Sequence, residues 1–89
     1  MQRLSIYNVS AVPLLEELVE PSAVPELLAT HLAGEKAFAI RSGHDRSKPP
    51  SYFYWGEGFV PNGVEAAVVQ KVIASHPTDA SIWLGEKLR

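Results

Sequence analysis

SAVPLLEELVEPSAVPELLATHLAG, residues 10–34, holds two leucine-rich segments set off by Pro13, Pro21 and Pro25. In the first segment Leu14, Leu15, Leu18 and Val19 recur at helical spacing, with Glu16, Glu17 and Glu20 on the opposite side. Ser10 is placed to cap such a helix, and Pro13 is tolerated in a first helical turn. Pro21 ends it, because the residue before a proline is pushed out of the helical region. Ser22 is placed to cap a second helix, with Pro25 near its start, Gly34 as its stop and an apolar stripe at Val24, Leu27, Leu28, His31 and Leu32. The pattern over residues 13–34 predicts either a two-helix unit or one helix kinked at Pro21.

On either side the period changes. Leu4 and Ile6 alternate with Ser5 and Tyr7, which predicts a short strand. Residues 36–42 alternate again, with Phe38 and Ile40 on one face and Ala37, Ala39 and Arg41 on the other. The run YFYW, residues 52–55, reads as a further strand. Between the two lies GHDRSKPP, whose prolines cannot sit inside a paired central strand, so these strands form a long-looped hairpin.

PNGVEAAVVQKVIASHP, residues 61–77, is the clearest helical pattern. Asn62 is a candidate N-cap, Glu65 completes a capping box, and Val64, Val68, Val69, Val72 and Ile73 form the stripe. In the tail, residues 80–89, Ile82, Trp83 and Leu84 suit a strand, whereas Thr78 and Asp79 could cap a short helix; the strand is preferred. The order β-α-β-β-α-β, with the first α element broken, predicts a small α+β sandwich. It would be a single domain over residues 1–89, with a mainly antiparallel sheet of about four strands and helices on one face.

Composition narrows the function classes. The 89 residues are 46% hydrophobic and include no cysteine, which removes disulfides, thiolate metal sites and cysteine nucleophiles together and fits a reducing compartment. The N-terminus lacks the apolar core of a signal peptide, and no apolar run approaches the roughly 18 residues of a membrane span. The expectation is a soluble, cytoplasmic protein with no membrane association. The net charge of −2 is unevenly spread: residues 1–35 carry Arg3 against five glutamates, and residues 36–51 carry Lys36, Arg41, Arg46 and Lys48 against Asp45. A nucleic-acid binder usually has a larger basic excess.

The chain has two tryptophans, three tyrosines and three phenylalanines, and half of them stand together at residues 52–55. Alternate residues of a strand face opposite ways. Phenylalanine has no polar atom to satisfy, whereas a tyrosine hydroxyl prefers a partner or water. Phe53 and Trp55 are therefore expected in the core, and Tyr52 and Tyr54 on an outward face with Tyr7 and the small Ala37 and Ala39. Rigid, amphipathic tyrosines are enriched at binding surfaces, so Tyr7, Tyr52 and Tyr54 are candidate contact residues. The loop cations Arg41, Arg46 and Lys48 are candidates for an acidic partner surface or a phosphate backbone.

Aromatics on the first and third strands of a βαββαβ order resemble, in outline, an RNA-recognition module. That family places a basic residue and glycine ahead of spaced aromatics, whereas here Pro50 and Ser51 precede an unbroken run, so the resemblance is topological only.

No catalytic, metal or cofactor constellation emerges. Ser42, His44 and Asp45 are too close in sequence to build a hydrolase relay with an oxyanion site. GEGFVPNG lacks the third glycine and the lysine of phosphate loops. His31, His44 and His76 lack ligand spacing. The sequence thus leads to a non-enzymatic interaction module that binds and modulates a larger protein, of the kind found among accessory inhibitors, immunity proteins and phage-encoded antagonists. The alternative is a nucleic-acid contact module built on the aromatic face and the basic loop.

Overall fold

The computed structural model describes residues 1–76 and 78–86. Strands β1 (Gln2–Tyr7) and β2 (Pro13–Val19) lead through a 3₁₀ turn (Pro21–Ala23) into helix α1 (Val24–His31). Then follow β3 (Ala37–Ser42), β4 (Tyr52–Trp55), helix α2 (Val64–Ala74) and β5 (Asp79–Leu84). The fold is mixed α+β, with one sheet of five strands in the order β2-β1-β5-β3-β4. Only β1 and β5 pair in parallel; the other neighbours are antiparallel.

The expected four-strand sheet and two-helix unit need correcting at the first leucine-rich segment, which is a strand. Pro13 and Pro21 bracket it so tightly that a helix would have about two turns, too short to persist without strong packing. As a strand it pairs with β1 from Gln2↔Val19 to Tyr7↔Pro13 and so satisfies the outer backbone edge of β1. The same leucines also fit a two-residue period: Leu15 is half-buried and Val19 buried on the helix side, while Leu18 is 61% exposed.

The signal for this hairpin lies in Asn8. Its side-chain oxygen accepts hydrogen bonds from the backbone N–H groups of Ser10 and Val12 at 2.9 and 3.0 Å. The backbone adds Ala11 N–H to Asn8 O at 2.8 Å and Asn8 N–H to Val12 O at 2.9 Å. Asparagine is suited to this use because its short amide mimics a backbone turn. Ser10, expected as a helix cap, sits in the turn instead. Ala11 carries the one positive φ of a non-glycine residue among those described, 62°.

The remaining elements follow the periodicity in part: α2 buries Ala66, Val69 and Ile73, while Val64 and Val68 of its expected stripe are exposed. Val24, Leu28 and Leu32 of the second leucine segment are buried, and Gly34 leaves the helix at φ +79°, a conformation that glycine adopts without steric cost. The tail strand extends through Leu84; Lys87, Leu88 and Arg89 lie outside the described residues. Helix α2 starts at Val64 with Gly63 as its N-cap and no side-chain cap, so the expected Asn62–Glu65 capping box does not form. Glu65 instead accepts a hydrogen bond from the Tyr52 hydroxyl at 2.5 Å.

Both helices pack on one face of the sheet. Leu4, Ile6, Phe38, Ile40, Ala80, Ile82 and Leu84 meet Val24, Leu28 and Leu32 of α1 and Ala66, Val69 and Ile73 of α2 in a single cluster, with Phe59 also inserted. The C-terminus of α2 is tied to β1 by the Gln2 amide, which donates to the carbonyls of Ile73 and His76.

Candidate functional site

The register Phe38↔Tyr54 and Ile40↔Tyr52 puts both tyrosines on the helix-covered side. This reverses the expected orientation of the aromatic run. Because β4 is an edge strand, its helix-side positions lie at the rim of the core, where a ring can be covered while its hydroxyl reaches water. Tyr54 stacks on Phe38 at 5.1 Å between ring centroids, and Phe59 meets both edge-on. Phe59, 2% exposed, fills the deep position expected of Phe53. At Gly56 an added Cβ would lie 2.5 Å from the Tyr54 hydroxyl oxygen, so any larger residue there would push that ring aside. Burial first, and then the bond to Glu65, push the Tyr52 phenol well above the ordinary tyrosine range.

Phe53 and Trp55 consequently stand on the other face, opposite Ala39 and Ala37. Phe53 is half-buried, whereas Trp55 is 68% exposed. Beside Trp55 an open groove of about 490 Å³ is lined by Gly34, Glu35, Lys36, Ala37 and Gly85.

The centre of that uncovered face is closed by the β3–β4 loop. Tyr7 and Trp83, neighbours on the parallel strands β1 and β5, stack with centroids 4.1 Å apart. The Arg46 guanidinium lies 5.1 Å from the Trp83 ring centroid, and Trp83 Nε1 donates to Ser81 Oγ at 2.8 Å. The Tyr7 hydroxyl lies 3.1 Å from His44 Nδ1 and 3.4 Å from Glu16 Oε1. Arg41 is 5% exposed, with both terminal nitrogens on the Glu86 carboxylate at 2.7 and 2.5 Å and Nε donating to Lys48 O at 2.8 Å. The loop is thus held to the sheet by the Lys48 carbonyl on the buried Arg41 and by Arg46, which lies over the Trp83 ring and 3.9 Å from the Glu86 carboxylate.

The six residues singled out from the sequence therefore separate. Tyr7 and Arg46 meet around Trp83, Arg41 is sealed against Glu86, and Lys48 is exposed while its carbonyl receives Arg41. Tyr52 and Tyr54 lie on the opposite side of the sheet. Sequence reasoning missed Trp83 and Glu86. Trp83 sits two residues from Ser81 in an alternating strand, which marks a second face; nothing local marks Glu86 as the partner of Arg41.

The hydrolase-like trio is not assembled. Asp45 accepts from the Ser47 N–H at 2.9 Å and the Ser47 hydroxyl at 2.6 Å, bonds that hold its carboxyl below the usual carboxylate value, and His44 faces Tyr7 and Asp79. No metal-binding group of three or more His, Asp or Glu side chains occurs among the described residues. None of their helices is long and apolar enough to cross a membrane. Comparison with known proteins finds no matching family model, curated protein or solved structure.

Proposed function

We propose that this chain is a non-enzymatic protein-interaction module that binds and modulates a larger protein, with Trp55 as its anchor. The observation that carries the reading is the 68% exposure of Trp55 at the end of a strand whose other face is locked into the core. Tryptophan is among the residue types that dominate binding energy at interfaces, especially when a rigid scaffold presents it. Half-buried Phe53 and the groove by Ala37 and Gly85 extend the surface around it. The cysteine-free composition suits a cytoplasmic setting.

The geometry favours a protein over a nucleic acid as partner. Arg41 is buried against Glu86, and the half-exposed Arg46 is partly neutralised 3.9 Å from the same carboxylate while lying over Trp83, so the basic loop offers a phosphate backbone less charge than its sequence suggests. The test is affinity capture from the native host with nuclease-treated and untreated lysate, using the wild-type chain and Trp55→Ala. Trp55 anchors of this kind commonly carry about 2 kcal/mol or more of binding energy. A protein retained by the wild type in both lysates and lost by Trp55→Ala supports the reading. Capture that disappears on nuclease treatment, or that ignores the substitution, overturns it.

A further inference from the structure

At the edge of the sheet opposite Trp55, β2 pairs with β1 on one side, and among the described residues nothing pairs with its other side. Seven extended residues present about three outward N–H and three outward C=O groups, a ready template for another strand. Alongside runs an open groove of about 370 Å³ between the end of β2 and the exposed side of α1. Val19, Ala23 and Leu27 supply its apolar surface, and Glu17, Glu20 and Glu26 supply its charge. None of these three carboxylates makes an ion pair among the described residues, although other charged side chains of the molecule do.

We infer that β2 accepts an extended, lysine- or arginine-rich segment of a partner protein by strand addition, with its cationic side chains over the Glu17–Glu26 groove. Strand addition supplies affinity through main-chain hydrogen bonds and specificity through alternate side chains. On the helix side the added strand would meet Glu17, Glu20 and Glu26 above the apolar floor of Ala23 and Leu27. On the open side it would meet Glu16 and Leu18, which occupy the other face of β2.

Charge selects this occupant over two others. A second copy pairing edge to edge would bring the Glu16–Glu17 rows of two β2 strands together, and like charges opposite one another destabilise a sheet. Nucleic acid would meet carboxylates along its whole approach. Protection of an exposed edge against self-association needs only the charges on the strand itself. Glu20 and Glu26 stand beyond the strand, around an apolar floor, where they contribute nothing to that protection.

The test is fluorescence anisotropy of the intact chain with labelled short peptides, accompanied by amide chemical shifts. A peptide alternating lysine with valine is expected to bind saturably and to shift the amides of Leu14–Val19. A glutamate–valine counterpart, a lysine–glycine peptide, and a lysine–valine peptide N-methylated along one edge should each bind at least about tenfold more weakly. Glu17→Lys and Glu26→Lys, both at exposed positions, should each weaken the lysine–valine complex roughly tenfold. Equal binding of the lysine–glycine or N-methylated peptide would reduce the effect to diffuse charge attraction and overturn the proposal. So would self-association through β2, or peptide-induced shifts confined to other strands. Trp55→Ala should leave this binding unchanged, so the surface proposed around Trp55 and this one can fail separately.

Discussion

The strands β4 and β2 close the same sheet at opposite edges, and they are exposed for different reasons. Tyr52 and Tyr54 fasten β4 to Phe38 and to the core cluster around Phe59, so the residues on its reverse side stand on a fixed base. β2 buries only Val19 fully and Leu15 in part, and its remaining side chains are exposed. One edge therefore offers a rigid ring, and the other offers backbone groups and carboxylates on a strand with little packing of its own. Elements with few buried contacts open at low free energy, whereas core strands approach the global value. The first kind of edge suits a preformed anchor, and the second suits an added strand.

Removing a partner from the docked side of the sheet should have the largest effect. Glu86→Ala leaves the Arg41 guanidinium buried without its carboxylate, and such uncompensated charge typically costs about 3 to 5 kcal/mol. Denaturant unfolding should register this loss, whereas Glu17→Ala on β2 should stay within about 0.5 kcal/mol. Comparable losses at both sites would erase the difference between the docked and the open parts of the sheet.

The two edges can be compared directly by truncating one side chain on each. Tyr54→Ala should cost about 2 kcal/mol, less than a fully buried aromatic because its ring lies at the rim. Leu18→Ala, at a side chain 61% exposed, should cost no more than about 0.5 kcal/mol in the same denaturant titration. An equal pair of values would mean that β2 is packed as firmly as β4.

A smaller effect, of opposite sign, is expected in the hairpin that carries β2. Ala11→Gly relieves a left-handed backbone at φ 62° and should stabilise by about 0.5 to 1 kcal/mol in thermal or denaturant unfolding. A loss of stability would show that Asn8 and its backbone bonds do not hold the turn in that conformation.

The finest probe is the Tyr52 hydroxyl. Its folded-state pKa is raised above the unfolded value, so the stability it contributes is complete below about pH 10 and is lost as pH climbs from there toward the folded value. Spectrophotometric titration should find one tyrosine that ionises late, together with a fall in stability above about pH 10. Tyr52→Phe should remove both. Retention of the late-ionising group in that variant would assign it to another tyrosine.

The helices α1 and α2 and the strands β1 and β3 were legible from their periods, β4 from its run of strand-forming rings, and β5 only as the preferred of two readings. Residues 14–19 were not, since two leucines, two glutamates, a leucine and a valine satisfy helical and strand periods alike. The decision lay outside the segment, in the proline brackets, in the Asn8 turn and in the unsatisfied edge of β1. Orientation of the aromatic run was unreadable for a related reason. YFYW has rings on both faces, and only the pairing of Phe38 with Tyr54, together with Phe59 arriving from a distant turn, decides which ring is covered. Alternation alone put Tyr7, Ala37 and Ala39 on the face away from the helices, but Ala37 and Ala39 are buried there. The bond between Arg41 and Glu86 joins residues 45 positions apart and leaves no local trace in sequence.

The most direct measurement is acrylamide quenching of Trp55 fluorescence in a Trp83→Phe variant, before and after addition of a protein captured by the wild-type chain. Trp55 is 68% exposed and Trp83 only 7%, so the remaining emission should be quenched readily in the free protein and shielded in the complex. A Trp55 already shielded in the free chain would contradict the outward orientation of the ring. Quenching unchanged in the complex would contradict its role as the anchor.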